Sequence, residues 1–200
     1  PSEGYKFIED LEKDFPGLLK IIDIAPELPG SMDFIKEYSS RYVLSLAHTS
    51  CNYDIACKAF EAGATSVTHL MNAMASCEKR DPGILGALCD FPDVYAEIIC
   101  DGIHISPPFL RMLFKLLNED RIIIVSDSMR GAGMPDGIYK LADADVEVKD
   151  GRTYYGKNRG LAGSVTYMNQ EVQRLKEYGI SSDIITKAAT DNPLSRLCMK

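Results

Sequence analysis

Short apolar runs rich in β-branched residues alternate with helix-like segments along most of this 200-residue chain. The apolar runs are predicted as buried strands at 19–24, 42–47, 65–68, 94–100 and 122–126. Amphipathic helical patterns are predicted between strands, at 31–39, 52–61 and 108–118. Because parallel strands need long crossovers and helices usually provide them, this alternation predicts an α/β fold with a parallel sheet.

Chemically distinctive residues follow the C-terminal ends of the predicted strands. They are Glu27, His48, His69, Asp101 with His104, and Asp127. In a (β/α)8 barrel, several strand ends contribute polar groups to one mouth, whereas an open sheet concentrates them at a single switch point. The pattern therefore favours a (β/α)8 barrel.

The pattern changes over 137–160, where apolar and polar residues alternate. Val146, Glu147 and Val148 alternate in this way, and Asp150-Gly151 is a two-residue hairpin signal. We expect a small β insertion here within one domain that spans 1–200. Helical patterns return after it, the last of them at 181–190.

Composition narrows the class of protein. Hydrophobic residues make up 46% of the chain and charged residues 26%, which is typical of globular domains. The net charge of -7 argues against nonspecific nucleic-acid binding, which requires many cationic side chains. No apolar run approaches the length of roughly 20 residues that crosses a bilayer, so we expect a cytoplasmic protein without membrane contact.

All three histidines of the chain lie at predicted strand ends. One such histidine would more often be structural, but imidazoles on adjacent strands converge, and His48 and His69 could share a divalent metal such as zinc. A catalytic zinc site needs about three protein ligands, so at least one more is required. Glu27 is the local carboxylate, although it could equally hydrogen-bond the loop backbone.

Asp127 follows the most apolar strand of the chain. A partly desolvated carboxylate beside a metal could take a proton from water and later deliver it to a leaving amine. The alternative is a capping role for the glycine-containing loop at 131–133.

A set of ordered motifs resembles the N-acetylglucosamine-6-phosphate deacetylases of the amidohydrolase superfamily. The motifs are APE, AHTS, THLMNAM, RDPG with a following GA, CDGIHISP, VSDSM, GLAGS and DNPLSRL, and they run from about Ala25 to Leu197. The resemblance implies a TIM-type barrel that deacetylates N-acetylglucosamine 6-phosphate to glucosamine 6-phosphate and acetate. It also implies a divalent metal, with zinc expected and iron or another ion as alternatives.

The resemblance carries roles for individual residues. It implies that His48 and His69 are metal ligands and that Asp127 is the catalytic acid and base. The residues implied to contact the sugar phosphate are Asn72, Ala73, Asp101, Gly102, Ile103, His104, Leu161, Ala162 and Gly163. Arg80 is implied to bind the phosphate of a neighbouring subunit in a homodimer. Some of these positions have local alternatives. Asn72 could be a turn residue and Arg80 a solvated loop charge, and 161–163 could form the entry to a helix that Ser164 caps.

The sequence also departs from the pattern of this family. An H-x-H pair at the first strand and a metal-binding glutamate at the third are not in the chain, so we expect a chain truncated at both ends and assign Glu27 only a supporting role. The five predicted strands then count as strands four to eight of a partial TIM-type barrel. Five strands cannot close an eight-stranded barrel, and exposed sheet edges favour aggregation or inactivity. Alternative functions are another amidohydrolase, such as a deaminase or cyclic amidase, and a non-catalytic sugar-phosphate-binding fragment.

Overall fold

A computed structural model of the protein describes residues 2–156 and 160–198. The first part alternates helices and strands: α1 Ser2–Asp14, β1 Ile21–Ile24, α2 Ser31–Tyr38, β2 Val43–Leu46, α3 Tyr53–Glu61, β3 Ser66–Val67, α4 Gly83–Asp90, β4 Tyr95–Ile98, α5 Pro107–Leu116 and β5 Ile122–Ile124. The second part contains β6 Gly137–Leu141, β7 Ala144–Lys149, β8 Arg152–Tyr155, α6 Met168–Glu177, α7 Ser182–Thr186, a π-helical turn Lys187–Asp191 and α8 Asn192–Cys198.

The predicted parallel sheet is confirmed. Strands β1 to β5 pair in chain order, and every pair is parallel. Ile24 lies opposite Leu46, and Leu46 lies opposite Val67, so the first three strands end almost level. The carboxyl ends of these strands, and the loops that follow them, therefore lie along one edge of the sheet.

The core lies between the sheet and the helices. Its largest fully buried side chains are Ile35, Leu44, Leu46, Leu70, Leu88, Ile98, Ile99, Leu110, Leu113, Ile122, Ile123 and Ile124. Most of them come from the apolar runs and helical faces that the sequence indicated. Burying one such aliphatic side chain contributes about 1.5–3 kcal/mol, so these residues dominate the stability of the sheet.

Three helices were not predicted: α1, α4 and α8. Helix α4 has the sequence GILGALCD, and glycine costs about 1 kcal/mol relative to alanine inside a helix, which weakens its local signal. Gly86 is nevertheless needed there, because a Cβ would overlap the ring of Pro82. Close packing has overridden helix propensity in this segment.

The C-terminal segment is tied to the sheet by polar side chains. The Asn192 amide donates to the carbonyl oxygens of Glu119 and Ile122, both at 2.7 Å. The Arg196 guanidinium, which is buried, forms an ion pair with Glu97 and donates to the Ser66 hydroxyl at 3.0 Å. These contacts give the DNPLSRL motif a structural role, since they hold the last helices against β3, β4 and β5.

The antiparallel hairpin predicted around Asp150-Gly151 is also observed. Strands β6, β7 and β8 form a separate three-stranded sheet, and β7 pairs with β8 across this turn. Asp150 and Gly151 have φ values of 51° and 71°, the left-handed geometry that matches the twist of a two-residue hairpin. Residues 157–159 of the predicted insertion lie outside the described residues.

The parallel sheet ends in β1 on one side and β5 on the other. Near β1, a hollow of about 530 Å³ is lined mainly by apolar residues of α1, β1 and α2. Phe7, Leu18 and Leu28 are more than half exposed around this part of the fold.

Among the described residues, none of the helices has the length and apolar character needed to cross a membrane.

Arg121 is a buried cation that joins the start of β5 to the 88–94 segment, which runs from the last turn of α4 to the start of β4. Its Nη1 donates to the carbonyl oxygens of Leu88 and Phe91, both at 2.8 Å, and to that of Val94 at 3.4 Å. Replacing it with methionine would leave these carbonyl groups without their donor, and hydrogen bonds to charged groups contribute roughly 1.5–3 kcal/mol each. For Arg121→Met we expect the free energy of unfolding to fall by about 2–4 kcal/mol, measured by urea denaturation.

The matched control is Arg111→Met on helix α5, because Arg111 is exposed. A surface substitution of this kind should change stability by no more than about 0.5 kcal/mol. Equal losses for the two variants would contradict a structural role for the Arg121 contacts.

Candidate active site

A cavity of about 700 Å³ lies at the carboxyl ends of the parallel strands. The sequence-predicted residues that line it are His48, His69, Asn72, Ala73, His104, Asp127, Leu161, Ala162 and Gly163. We call this space the histidine cavity. Five lining residues were not predicted: Met71, Ser128, Met129, Leu141 and Tyr155. Glu27, Arg80, Asp101, Gly102 and Ile103 are not among the lining residues.

His48 and His69 lie directly against one another in this cavity. Their Nε2 atoms are 3.0 Å apart, and the two rings meet edge to face with an interplanar angle of 82°. His69 is buried and His48 is exposed. Both imidazoles therefore direct their Nε2 atoms at one point, and this point is accessible from the cavity.

The backbone at these positions is in an unusual conformation. His48, His69 and Asp127 have φ values of 46°, 36° and 46°, in the left-handed region that residues other than glycine rarely occupy. Such a conformation costs on the order of 1–3 kcal/mol and clusters at functional sites. The three residues share both a cavity and a costly backbone geometry, which indicates that these side chains are held in position for a purpose other than stability.

The donor set fits part of a metal site. Two nitrogens that each bind zinc at about 2.0–2.1 Å lie roughly 3 Å apart, which matches the separation of the two Nε2 atoms. The same distance fits an N–H···N hydrogen bond between two neutral rings. Among the described residues, no three His, Cys, Asp or Glu side chains form a group that could hold a metal ion. This part of the chain therefore offers two ligands of a site that needs about three.

Glu27 supports the loop that carries His48. Its carboxylate accepts hydrogen bonds from the Thr49 hydroxyl and, at 2.7 Å, from the backbone N–H of Ser50. Partial burial would raise the pKa of Glu27, but the hydrogen bonds from Thr49 and Ser50 outweigh it, and the net pKa is lowered. Glu27 thus stays ionised and holds the residues that follow His48.

Other hydrogen bonds shape the remaining loops. The Asn72 amide donates to the carbonyl oxygens of His69 and Leu70, both at 3.2 Å, and so closes the turn after β3. The backbone N–H of Ser164 donates to the Asp127 carbonyl oxygen at 2.8 Å, which ties the 161–163 segment to the loop of Asp127. The cavity wall is therefore built from loops that are bonded to one another.

Asp101 acts on His104 and does not line the cavity. Its carboxylate accepts from His104 Nδ1 at 2.7 Å and from the backbone N–H groups of Ile103 and His104 at 2.8 and 2.9 Å. Burial raises the pKa of Asp101, yet the hydrogen bonds from His104 and Ile103 outweigh it, so the net pKa is lowered. An ionised carboxylate can only accept, so His104 Nδ1 carries a proton, and in the neutral imidazole Nε2 is then an acceptor.

Arg80 lies on an exposed loop away from the histidine cavity. The neighbouring Asp81 carboxylate anchors this loop, because it accepts from the backbone N–H groups of Tyr53 and Gly83 at 3.0 and 3.1 Å. The loop therefore presents Arg80 outward from a fixed base.

Sequence reasoning missed the apolar part of the cavity wall. Leu141 and Tyr155 come from the three-stranded sheet, so nothing in their local pattern could show that they lie near His48. Met71 was within reach of the sequence, since it lies in the THLMNAM segment two residues after His69.

Behind the loop of His104, helix α6 contributes a fully buried carboxyl group, that of Glu171. Its Oε2 accepts from the backbone N–H of Cys100 at 2.8 Å, and its buried Oε1 has no hydrogen-bond partner among the described residues. Burial is the main cause that raises the pKa of Glu171 to about 8; the charges of Asp101 and Asp127 act in the same direction, and the Cys100 hydrogen bond and Arg174 oppose it. Glu171 is therefore mainly protonated at neutral pH.

This raised pKa predicts a pH dependence of stability. Between the ordinary value of 4.5 and about 8, the folded protein holds a proton that the unfolded chain has lost, so stability falls as pH rises through this range. The slope from this group is at most about 1.4 kcal/mol per pH unit. Glu171→Gln keeps an acceptor for Cys100 and cannot ionise, so its stability relative to the parent should increase from pH 5 to pH 8.

The measurement is urea denaturation of both proteins at several pH values, with pH 5 as the internal reference. A stability difference that is constant across the range would contradict the raised pKa of Glu171.

Comparisons with known proteins bear on this site. No protein-family profile matches the chain. An N-acetylglucosamine-6-phosphate deacetylase of Bacillus subtilis (strain 168) is 32% identical over 84% of this chain and 42% of its own length. An N-acetylgalactosamine-6-phosphate deacetylase of Escherichia coli O157:H7 is 33% identical over 88% of this chain and 48% of its own length.

A solved structure agrees with these relatives. A variant of N-acetyl-D-glucosamine-6-phosphate deacetylase from Mycobacterium smegmatis, in complex with N-acetyl-D-glucosamine-6-phosphate, matches 96% of this chain and 52% of its own chain, with a TM-score of 0.90 and 30% identity. The chain spans about half the length of the relatives it matches. The resemblance found in the motifs is thus confirmed: the chain is a homologue of the N-acetylglucosamine-6-phosphate deacetylases and corresponds to about half of one.

Proposed function

We propose that this chain is part of an enzyme that hydrolyses the acetamide of N-acetylglucosamine 6-phosphate to glucosamine 6-phosphate and acetate. The observation that carries the proposal is the convergence of the His48 and His69 Nε2 atoms, 3.0 Å apart, in a cavity that Asp127 also lines. The deacetylase relatives supply the substrate class.

The proposed architecture is the second part of a (β/α)8 barrel, in one domain with the small β sheet as an insertion. Five parallel strands paired in chain order are what barrel strands four to eight would form. The position of the cavity at the carboxyl ends of the strands supports this assignment, because barrel enzymes place their active sites there. The deacetylase structure extends beyond the part that this chain matches, which leaves room for the remaining strands.

The proposed cofactor is a divalent metal ion, zinc in the first instance, held by His48 and His69 together with ligands from outside this chain. Imidazole nitrogen suits zinc and other late divalent ions, so the two ligands alone do not select one metal. When bound, such an ion supplies a Lewis acid for the amide carbonyl and for water. His69 is buried and His48 is exposed, so the pair presents the ion to the cavity from one side.

Asp127 is the proposed acid and base. It follows β5, lines the cavity, and its main chain is held by the hydrogen bond from Ser164. Its carboxylate would take a proton from the attacking water and return it to the departing amine, so one group serves both steps. His104 Nε2, left free by the Asp101 contact, would accept a hydrogen bond from the substrate and orient it.

The sugar phosphate would be bound around these groups. The proposed contacts come from Asn72 and Ala73, from His104, and from the 161–163 segment, all of which line the cavity. Asp101 would act through His104, and Gly102 and Ile103 would shape the loop between them. The five unpredicted lining residues include Met71, Leu141 and Tyr155, which supply an apolar surface beside the sugar ring and the acetyl group.

Asp127→Asn tests the mechanism. Loss of a general base costs roughly 10²- to 10⁴-fold in rate, so turnover should nearly vanish while metal content is retained. Asparagine tolerates the left-handed backbone of this position, so stability should change little. Acetate release from N-acetylglucosamine 6-phosphate and from its galactosamine epimer is measured on the purified protein, with ammonia release as the control for a deaminase.

Two results would count against the proposal. Near-normal acetate release by Asp127→Asn would remove Asp127 from the mechanism. Ammonia release by the parent protein, without acetate, would favour a different amidohydrolase.

Arg80 is proposed to bind the phosphate group in the cavity of a neighbouring subunit of a homodimer. A guanidinium matches a phosphate with paired hydrogen bonds, and Arg80 is exposed and does not line its own histidine cavity. For Arg80→Ala we expect a raised KM for the phosphorylated substrate and little change for N-acetylglucosamine itself. Steady-state kinetics with both sugars provide the check, and equal losses for the two would argue against phosphate recognition.

A further inference from the structure

The loop that carries His104 is held from behind by helix α6. Glu171 accepts a hydrogen bond from the backbone N–H of Cys100 at 2.8 Å, and Arg174 Nη1 donates to the carbonyl oxygen of Asp101 at 2.7 Å. The two side chains are three residues apart and therefore lie on one face of the helix. Together they form hydrogen bonds with the main chain of two successive residues of the loop.

A third contact limits the same loop, and it comes from Tyr178, the residue that follows the last turn of α6. Gly102 has a φ of 71°, and a Cβ at this position would overlap the hydroxyl of Tyr178. The loop thus approaches α6 and its C-terminal residue as closely as the backbone allows, and a glycine is required for that approach.

These contacts affect the cavity through one further hydrogen bond, which joins Asp101 to His104. The loop backbone sets the position of the Asp101 carboxylate, and that carboxylate accepts from His104 Nδ1 at 2.7 Å. The side chain of His104 is 7% exposed and that of Asp101 1%, so the pair has little access to competing water. Any movement of the Asp101 main chain would therefore turn the His104 ring.

We propose that Glu171 and Arg174 are positioning residues for His104, which hold its ring orientation and its Nδ1–H tautomer through the main chain of Cys100 and Asp101. The role that His104 plays toward substrate rests on the proposed function, whereas the positioning itself does not. Neither Glu171 nor Arg174 lines the histidine cavity.

The chemistry of Glu171 favours this role over plain packing. A buried carboxyl group with one oxygen unpartnered among the described residues costs free energy, and an apolar side chain of similar size would avoid that cost. The carboxyl group supplies an acceptor for the Cys100 N–H, which an apolar side chain cannot do. Arg174 likewise spans two elements, since it also reaches the Thr166 hydroxyl at 3.3 Å, ahead of α6.

The test uses the ring nitrogen resonances of the three histidines in the ¹⁵N-labelled protein, which show which nitrogen carries the proton. In the parent protein we expect a fixed Nδ1–H form for His104. Glu171→Leu and Arg174→Met should replace it with an averaged mixture of tautomers, so that the two ¹⁵N resonances of His104 move closer together. Glu171→Gln retains the acceptor and should restore the parental spectrum.

Arg121→Met is the matched control, because Arg121 is also a buried arginine that donates to backbone carbonyl groups, but away from His104. It should lower stability and leave the His104 resonances unchanged. His48 and His69 serve as internal references in every variant.

The outcomes separate the two proposals. Unchanged His104 resonances in Glu171→Leu and Arg174→Met would overturn the positioning role, whatever the activity. A change in the resonances of all three histidines that Arg121→Met also produces would overturn it too, because a general loosening of the structure would then explain the change. Selective change at His104, with a loss of kcat of roughly 10- to 100-fold, supports both proposals. The same selective change in the complete, metal-loaded enzyme, if that enzyme releases no acetate, supports positioning and contradicts the deacetylase function.

Discussion

The parallel pairing of β2 with β3 is the interaction on which the candidate site depends. Leu46 lies opposite Val67 in this pair, and His48 and His69 each follow two residues later. Because the strands run in the same direction, an equal offset from paired residues brings the two rings to the same place. A shift of the register by one residue would separate the rings and exchange the residues that face the two sides of the sheet. The 3.0 Å separation of the Nε2 atoms is thus a consequence of sheet register.

The loops around this histidine pair are held by polar side chains that do not line the cavity. Glu27 fixes the residues after His48, Asp101 fixes His104, and Glu171 with Arg174 fixes the main chain of Asp101. His48, His69 and Asp127 keep a left-handed backbone that isolated loops would relax. The result is a preorganised site, in which strain and buried charge are offset by the apolar core beneath the loops.

Prediction from the sequence succeeded where local pattern and tertiary structure agree. The apolar run that became β5 is uninterrupted, and the Asp150-Gly151 turn needs left-handed geometry that these residues tolerate. The helix α4 was missed because its glycines weaken the local signal, although close packing against Pro82 favours them. Predicted strands also extended beyond the observed ones at one or both ends, although flanking residues such as Ala47 and Val125 still donate backbone hydrogen bonds to the neighbouring strand.

The sequence by itself determined the alternation of strands and helices, the placement of histidines and carboxylates at strand ends, and the motifs shared with the deacetylases. Periodicity and residue type are local properties, so they can be recognised without coordinates. Only the tertiary structure decided that Asp101 faces His104, that Leu141 and Tyr155 line the cavity, and that α6 supports the loop behind it. The last two are contacts between residues far apart in the chain, and the geometry of all three depends on packing that no local pattern contains.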